Sequence, residues 1–159
     1  MTCCTTLNRI REHSPCKNGW EKLLRHLGKT GADDELLPLS VIMESNGLDD
    51  ALWCCRSVDY DRAWRLYAVW CARQVQHLMK DPRSLHALDV AQAFASGTAT
   101  RDQLKSAWAA ALAAAGDAAW AAWAAWAAQK AMFLRVVNAP TEESAIALLL
   151  DAMPKKEAA

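Results

Sequence analysis

Residues 61–79 read DRAWRLYAVWCARQVQHLM. In this stretch Trp64, Leu66, Tyr67, Val69, Trp70, Cys71, Val75 and Leu78 recur at helical spacing and cover more than half of the circumference. A helix that is apolar over so wide an arc packs on more than one side, so 61–79 is expected to be a central helix, broken by Asp81-Pro82. The second decisive stretch, 101–137, reads RDQLKSAWAAALAAAGDAAWAAWAAWAAQKAMFLRVV. Thr100 and Gln103 in front of it match a capping box, in which hydroxyl and amide satisfy reciprocal backbone N–H groups. The pattern then runs to Ala139-Pro140, about 37 residues or roughly 55 Å if straight. Gly116 is its one internal weak point, where the helix is expected to bend or split at a cost of about 1 kcal/mol.

Shorter helices flank these two. A brief mixed pattern over Leu7–Arg11 stops at Ser14-Pro15. Trp20, Leu23, Leu24 and Leu27 share one helical face, with Gly28 as C-cap. Lys29–Glu35 is polar and loop-like. Pro38 opens a short helix over Leu39–Glu44, closed by Asn46-Gly47. Asp49 and Asp50 suit the electropositive first turn of a helix running to about Ser57. Ser84–Ala95 is helical and stops at Ser96-Gly97. Thr141, with Glu142 and Glu143 behind it, starts a last helix through about Ala152. No strand is expected. The fold class is therefore all-α: a single domain over 1–159, a bundle of six or seven helices built around 61–79 and 101–137. Its parts are N-terminal short helices and loops (1–47), middle helices (48–97), and the long Ala/Trp helix with the C-terminal helix (98–153).

Composition bounds the function. The 159 residues carry 18 Lys and Arg against 18 Asp and Glu, a balance unlike the basic domains that bind nucleic acid generally. Between Lys105 and Lys130 the one formal charge is Asp117; the stretch exceeds 20 residues, yet it is mostly alanine. With a mean hydropathy of −0.08, no membrane insertion is expected. The start of the chain lacks an apolar signal region, and the six cysteines include the vicinal pairs Cys3–Cys4 and Cys54–Cys55. All six are read as reduced thiols of a cytoplasmic protein. Cys3, Cys4, His13 and Cys16 have zinc-ligand chemistry but lack a C-x2-C knuckle, so no metal and no cofactor are expected.

Eight Trp stand against two Phe and two Tyr. Trp120, Trp123 and Trp126 recur every third residue and sweep about 120° of a helix that is otherwise nearly all Ala, with Trp108 upstream. The band is read either as core or as an interface for a protein partner or a second copy, where Trp is a favoured anchor. Arg56, Arg62, Arg65, Arg73, Lys80 and Arg83 outnumber the acids around them. Arg62, Arg65 and Arg73 join the Trp band as candidate partner-binding residues, and this basic face is the alternative route to nucleic acid. Arg73, His77 and Asp81, spaced by four, would share a helical face, but no nucleophile accompanies His77 and no catalytic residues are assigned. Gly-Lys-Thr at Gly28–Thr30 follows a helix and lacks the upstream glycine of a phosphate loop.

Ser14-Pro-Cys-Lys-Asn-Gly-Trp20, Leu27-Gly-Lys-Thr30, Ser45-Asn-Gly-Leu-Asp-Asp-Ala-Leu-Trp-Cys54, Arg65-Leu-Tyr-Ala-Val-Trp-Cys-Ala-Arg73, His77-Leu-Met, Asp81-Pro-Arg-Ser84 and Leu88-Asp-Val-Ala91 resemble a family of small Ala-rich phage and prophage proteins. Its later half is similar to immunity-type proteins of toxin systems. The resemblance implies an accessory protein acting by binding, its partner a host defence complex such as a CRISPR effector. The alternative it implies is toxin neutralisation. No catalytic residues come with it.

Overall fold

The computed structural model describes residues 3–112 and 126–154. Nine α-helices lie within them: α1 (Leu7–Glu12), α2 (Lys17–Leu27), α3 (Leu39–Asn46), α4 (Leu48–Cys54), α5 (Asp61–Arg73), α6 (Pro82–Ala95), α7 (Arg101–Leu112), α8 (Trp126–Val137) and α9 (Glu142–Asp151). The all-α expectation therefore holds. Strand structure among the described residues is one antiparallel bridge, β1 (Cys4–Thr5) with β2 (Leu37–Pro38), paired Cys4 to Pro38 and Thr5 to Leu37. This corrects the expectation of none. The N-terminal segment is drawn in because Cys3 N–H donates to the Val137 carbonyl at 2.9 Å and Leu39 N–H donates to the Cys3 carbonyl at 3.1 Å. Pro38 has no N–H to extend a ladder, and the bridge stays two residues long.

Local signals set most boundaries. Gly28 takes φ +65° and closes α2, as a left-handed C-cap glycine does. The capping box forms in full: Gln103 N–H donates to Thr100 Oγ1, and Thr100 N–H donates to Gln103 Oε1 at 2.7 Å. The Thr141 hydroxyl likewise accepts from Ser144 N–H at the start of α9.

The central helix is shorter than expected. α5 ends at Arg73, followed by a 3-10 turn over Gln76–Leu78 rather than by helix to Met79. Val75 turns to φ −117° and its N–H donates to the Ala72 carbonyl, three residues back, and Leu78 is left exposed. Asp81-Pro82 is both a breaker and a starter. The Asp81 carboxylate accepts from Arg83 N–H at 2.8 Å and Pro82 takes the first helical position, where a missing N–H costs nothing. The expected helix 101–137 is seen as α7 and α8; its middle, with Gly116, lies outside the described residues.

The core gathers α5, α8 and α9 with the N-terminal helices. Phe133, Val136 and Val137 of α8 are fully buried together with Leu66, Leu149, Ile10, Leu39 and Ile42. Phe133 meets the Tyr67 ring edge-on at 5.9 Å and stacks on Trp64 at 6.3 Å. α5 is the hub. Its Tyr67 hydroxyl donates to the Gln129 carbonyl in α8, and its Trp70 indole N–H donates to the Ala152 carbonyl at the end of α9. α7 packs on α6 at the margin, with Ala107 its one buried position among those described.

Candidate partner-binding surface

The three candidate arginines share one seam. α5 presents all of them to α6, which runs back along it. Arg62 Nε donates to the Ala95 carbonyl at 2.7 Å and so caps the end of α6. Arg65 pairs with Asp61 one turn earlier at 2.7 Å, and its guanidinium lies 5.3 Å from the centre of the Phe94 ring. Arg73 is the most enclosed, with a side chain 9% exposed; it reaches Asp89 at 2.6 Å, Gln92 at 3.1 Å and Gln76 at 2.9 Å. These arginines bind two helices to each other. The remaining arginines of the basic stretch are engaged too. Arg56 lies 4.3 Å over the Trp53 ring and donates to the Trp53 carbonyl, and Arg83 pairs with Asp81 at 2.7 Å.

The expected alignment of Arg73, His77 and Asp81 does not form, because α5 stops at Arg73. His77 sits exposed in the 3-10 turn, Arg73 turns towards α6, and Asp81 caps α6. Arg83 holds the Asp81 carboxyl down at about 2 by hydrogen bonds from its side chain and backbone.

The zinc-type residues are also apart in role. Cys16 is the N-cap of α2, where its sulfur accepts from Gly19 N–H at 3.4 Å. Cys3 is buried beside β1, and His13 is exposed at the end of α1. Among the described residues no three His, Cys, Asp or Glu side chains gather to hold a metal. All six cysteines are thiols. Burial pushes Cys3 and Cys54 up to about 12 and Cys55 higher still, so those three are poor nucleophiles and poor ligands near neutral pH. No described helix is long and apolar enough to cross a membrane.

The aromatic band is seen in part. Trp126, the first described residue of α8, is 44% exposed; Trp108 on α7 is 64% exposed. Trp120 and Trp123 lie outside the described residues. Buried Ala107, next to Trp108, marks the face of α7 that meets α6 and leaves the indole on the outer side. Both exposed indoles stand among alanines, with Ala109 beside Trp108 and Ala127 and Ala128 after Trp126.

The sequence pattern did not point to a second feature, a cleft between α2 and the α3–α4 pair. Trp20, Trp53 and Asp50 line it. Gly19 was the available signal: a glycine in the first turn of an amphipathic helix gives up about 1 kcal/mol relative to alanine unless something packs close to it. Compared with protein-family models, with curated proteins and with solved structures, the chain matches none.

Proposed function

We propose that this chain is a non-enzymatic protein-binding protein, and that the exposed indoles of Trp108 and Trp126 are among the groups that meet its partner. The observation that supports this reading is the exposure of two indoles, 64% and 44%, each with alanine next to it in sequence. A large apolar side chain in water is the informative exception on a surface. Covering about 100–150 Å² of indole at about 25 cal/mol per Å² gains about 3 kcal/mol per ring before the costs of association. Trp is also the residue most enriched among interface anchors. The basic seam contributes less to such a surface, since Arg62, Arg65 and Arg73 already hold α5 to α6.

The resemblance to small phage proteins supports a component of a bacterial defence complex as the target, with the chain as its inhibitor. Trp108→Ala and Trp126→Ala test this directly. Each variant is expected to melt close to the parent, because neither ring is part of the buried cluster. In capture from bacterial lysate with mass spectrometry, both are expected to lose a defence component that the parent retains. Sedimentation of the purified chain separates a second copy from a foreign partner. Variants that hold the same partner as tightly as the parent would refute the surface.

A further inference from the structure

The cleft between α2 and the α3–α4 pair carries a second, separate site. It encloses about 130 Å³. Buried Ile10, Leu23, Ile42 and Cys54 line its apolar base, and half-buried Trp20 and Trp53 stand at its sides. Two polar side chains enter it with fixed geometry. The Asn46 amide donates both to the Gly19 carbonyl at 2.8 Å and to Asp50 Oδ2 at 2.7 Å. That amide is consumed, and the Asp50 carboxylate is oriented by it. Oδ1 has no hydrogen-bond partner among the described residues, and no described cation pairs with Asp50. The neighbouring Arg56 does not line the cleft; its guanidinium lies over the Trp53 ring and its Nε donates to the Trp53 carbonyl. Gly19 leaves room for Asp50. A Cβ there would stand 2.8 Å from Asp50 Oδ2 and 3.2 Å from Cys16 Sγ.

We propose that this cleft binds a small free arylalkylamine, a single ring carrying one alkylammonium group. Volume sets the size. An apolar cavity of about 150 Å³ accepts benzene, whereas drug-sized ligands need about 300 Å³ or more. The lining sets the chemistry: aliphatic side chains and indoles favour a ring, and a half-buried carboxylate without a cation favours a positive charge. The indoles among the lining residues also favour a cation, which they attract through their faces. An anion would meet the Asp50 charge. A neutral hydrocarbon would cover the carboxylate without satisfying it, which is costly for a charged group.

Benzylamine titrated into the full chain tests the site, with calorimetry for affinity and the Trp20 and Trp53 indole N–H resonances for location. Binding is expected to shift those two resonances. Asp50→Asn, which keeps the shape, should weaken it at least tenfold. Gly19→Ala, whose Cβ would push the Asp50 carboxylate from its place, should also weaken it, while Trp108→Ala leaves it unchanged. Thermal melts establish that each variant is folded. Benzyl alcohol binding as tightly as benzylamine would overturn the charge assignment and with it the proposal. So would absence of any Trp20 or Trp53 shift, or an Asp50→Asn variant that binds like the parent. Tighter binding of n-butylamine, which mimics a lysine side chain, would also overturn it by replacing the free ring amine with a partner's lysine. None of these outcomes bears on the Trp108 and Trp126 surface.

Discussion

α5 starts without a cap of its own. Tyr60, at its N-cap, offers no side-chain acceptor, although the first N–H groups of any helix need one. Glu142 supplies it from 80 residues away: its Oε1 accepts from Arg62 N–H and Ala63 N–H, both at 3.1 Å. An N-cap acceptor is worth about 1 kcal/mol, and a negative charge at the positive end of a helix adds about 0.3–1 kcal/mol. Glu142→Ala should therefore cost about 2 kcal/mol. For a chain of this length that lowers Tm by about 4–8 °C, at about 2–4 °C per kcal/mol. Glu142→Gln keeps an acceptor oxygen but loses the charge, and should show about half the shift. Part of the loss belongs to α9, whose first turn contains Glu142 as well. Glu143 lies in that same turn and its carboxyl is held low by local partners, its own backbone N–H first and the Thr141 hydroxyl next. Glu143→Ala thus measures the α9 share and is expected to shift Tm less. Calorimetric melts of the three variants give the magnitudes. Amide exchange locates the effect, since Arg62 and Ala63 should exchange faster in Glu142→Ala alone. Equal melts for Glu142→Ala and Glu143→Ala, with Arg62 and Ala63 exchange unchanged, would refute the long-range cap.

Four further outcomes are expected. A chromogenic disulfide reagent at about pH 8 should modify exposed Cys16 quickly in the folded chain and reach Cys3, Cys54 and Cys55 only on unfolding. Those buried thiols keep their protons where the unfolded chain releases them, so stability should be intact below the ordinary thiol value of 9.0 and fall as pH rises from there towards about 12. A urea midpoint measured across that range, with Cys54→Ala for comparison, checks it. Asp81 titrates the opposite way. Its carboxyl is held at about 2 instead of 3.8, so its contribution is present above about 4 and lost as pH falls towards 2; Asp81→Asn should show a shallower acid loss in the same assay. Arg73→Lys keeps the charge but loses the fork that reaches Asp89, Gln92 and Gln76, and should cost about 1–2 kcal/mol in a thermal melt. A melt matching the parent would show that the contacts between α5 and α6 do not depend on the guanidinium.

What was legible in the sequence is what lies within one turn of itself. Gly28, Thr100 with Gln103, and Thr141 each satisfy groups no more than four residues away, and each does what its residue type predicts. The end of α5 was not legible, because the apolar pattern continues through Val75 and Leu78 while the helix does not. The helix leaves its pattern at Val75, whose N–H donates to the Ala72 carbonyl, and the turn that follows lets α6 return along α5. That one misplaced boundary also produced the stripe of Arg73, His77 and Asp81. Once the helix ends, the three residues serve different neighbours. The arginines show the same limit from the other side. Their spacing on α5 marks a face, but which carbonyl, ring or carboxylate they meet depends on α6 lying antiparallel beside them, and no spacing within α5 encodes that. Asp50 combines both cases: its position in the first turn of α4 is a local fact, while the amide that orients it is fixed by the α2 backbone 27 residues before Asn46. Long-range pairs of this kind require a side chain from one element to satisfy the backbone end of another. They form only after the helices have chosen their neighbours, so they are properties of the assembled fold that a reading of successive segments does not reach.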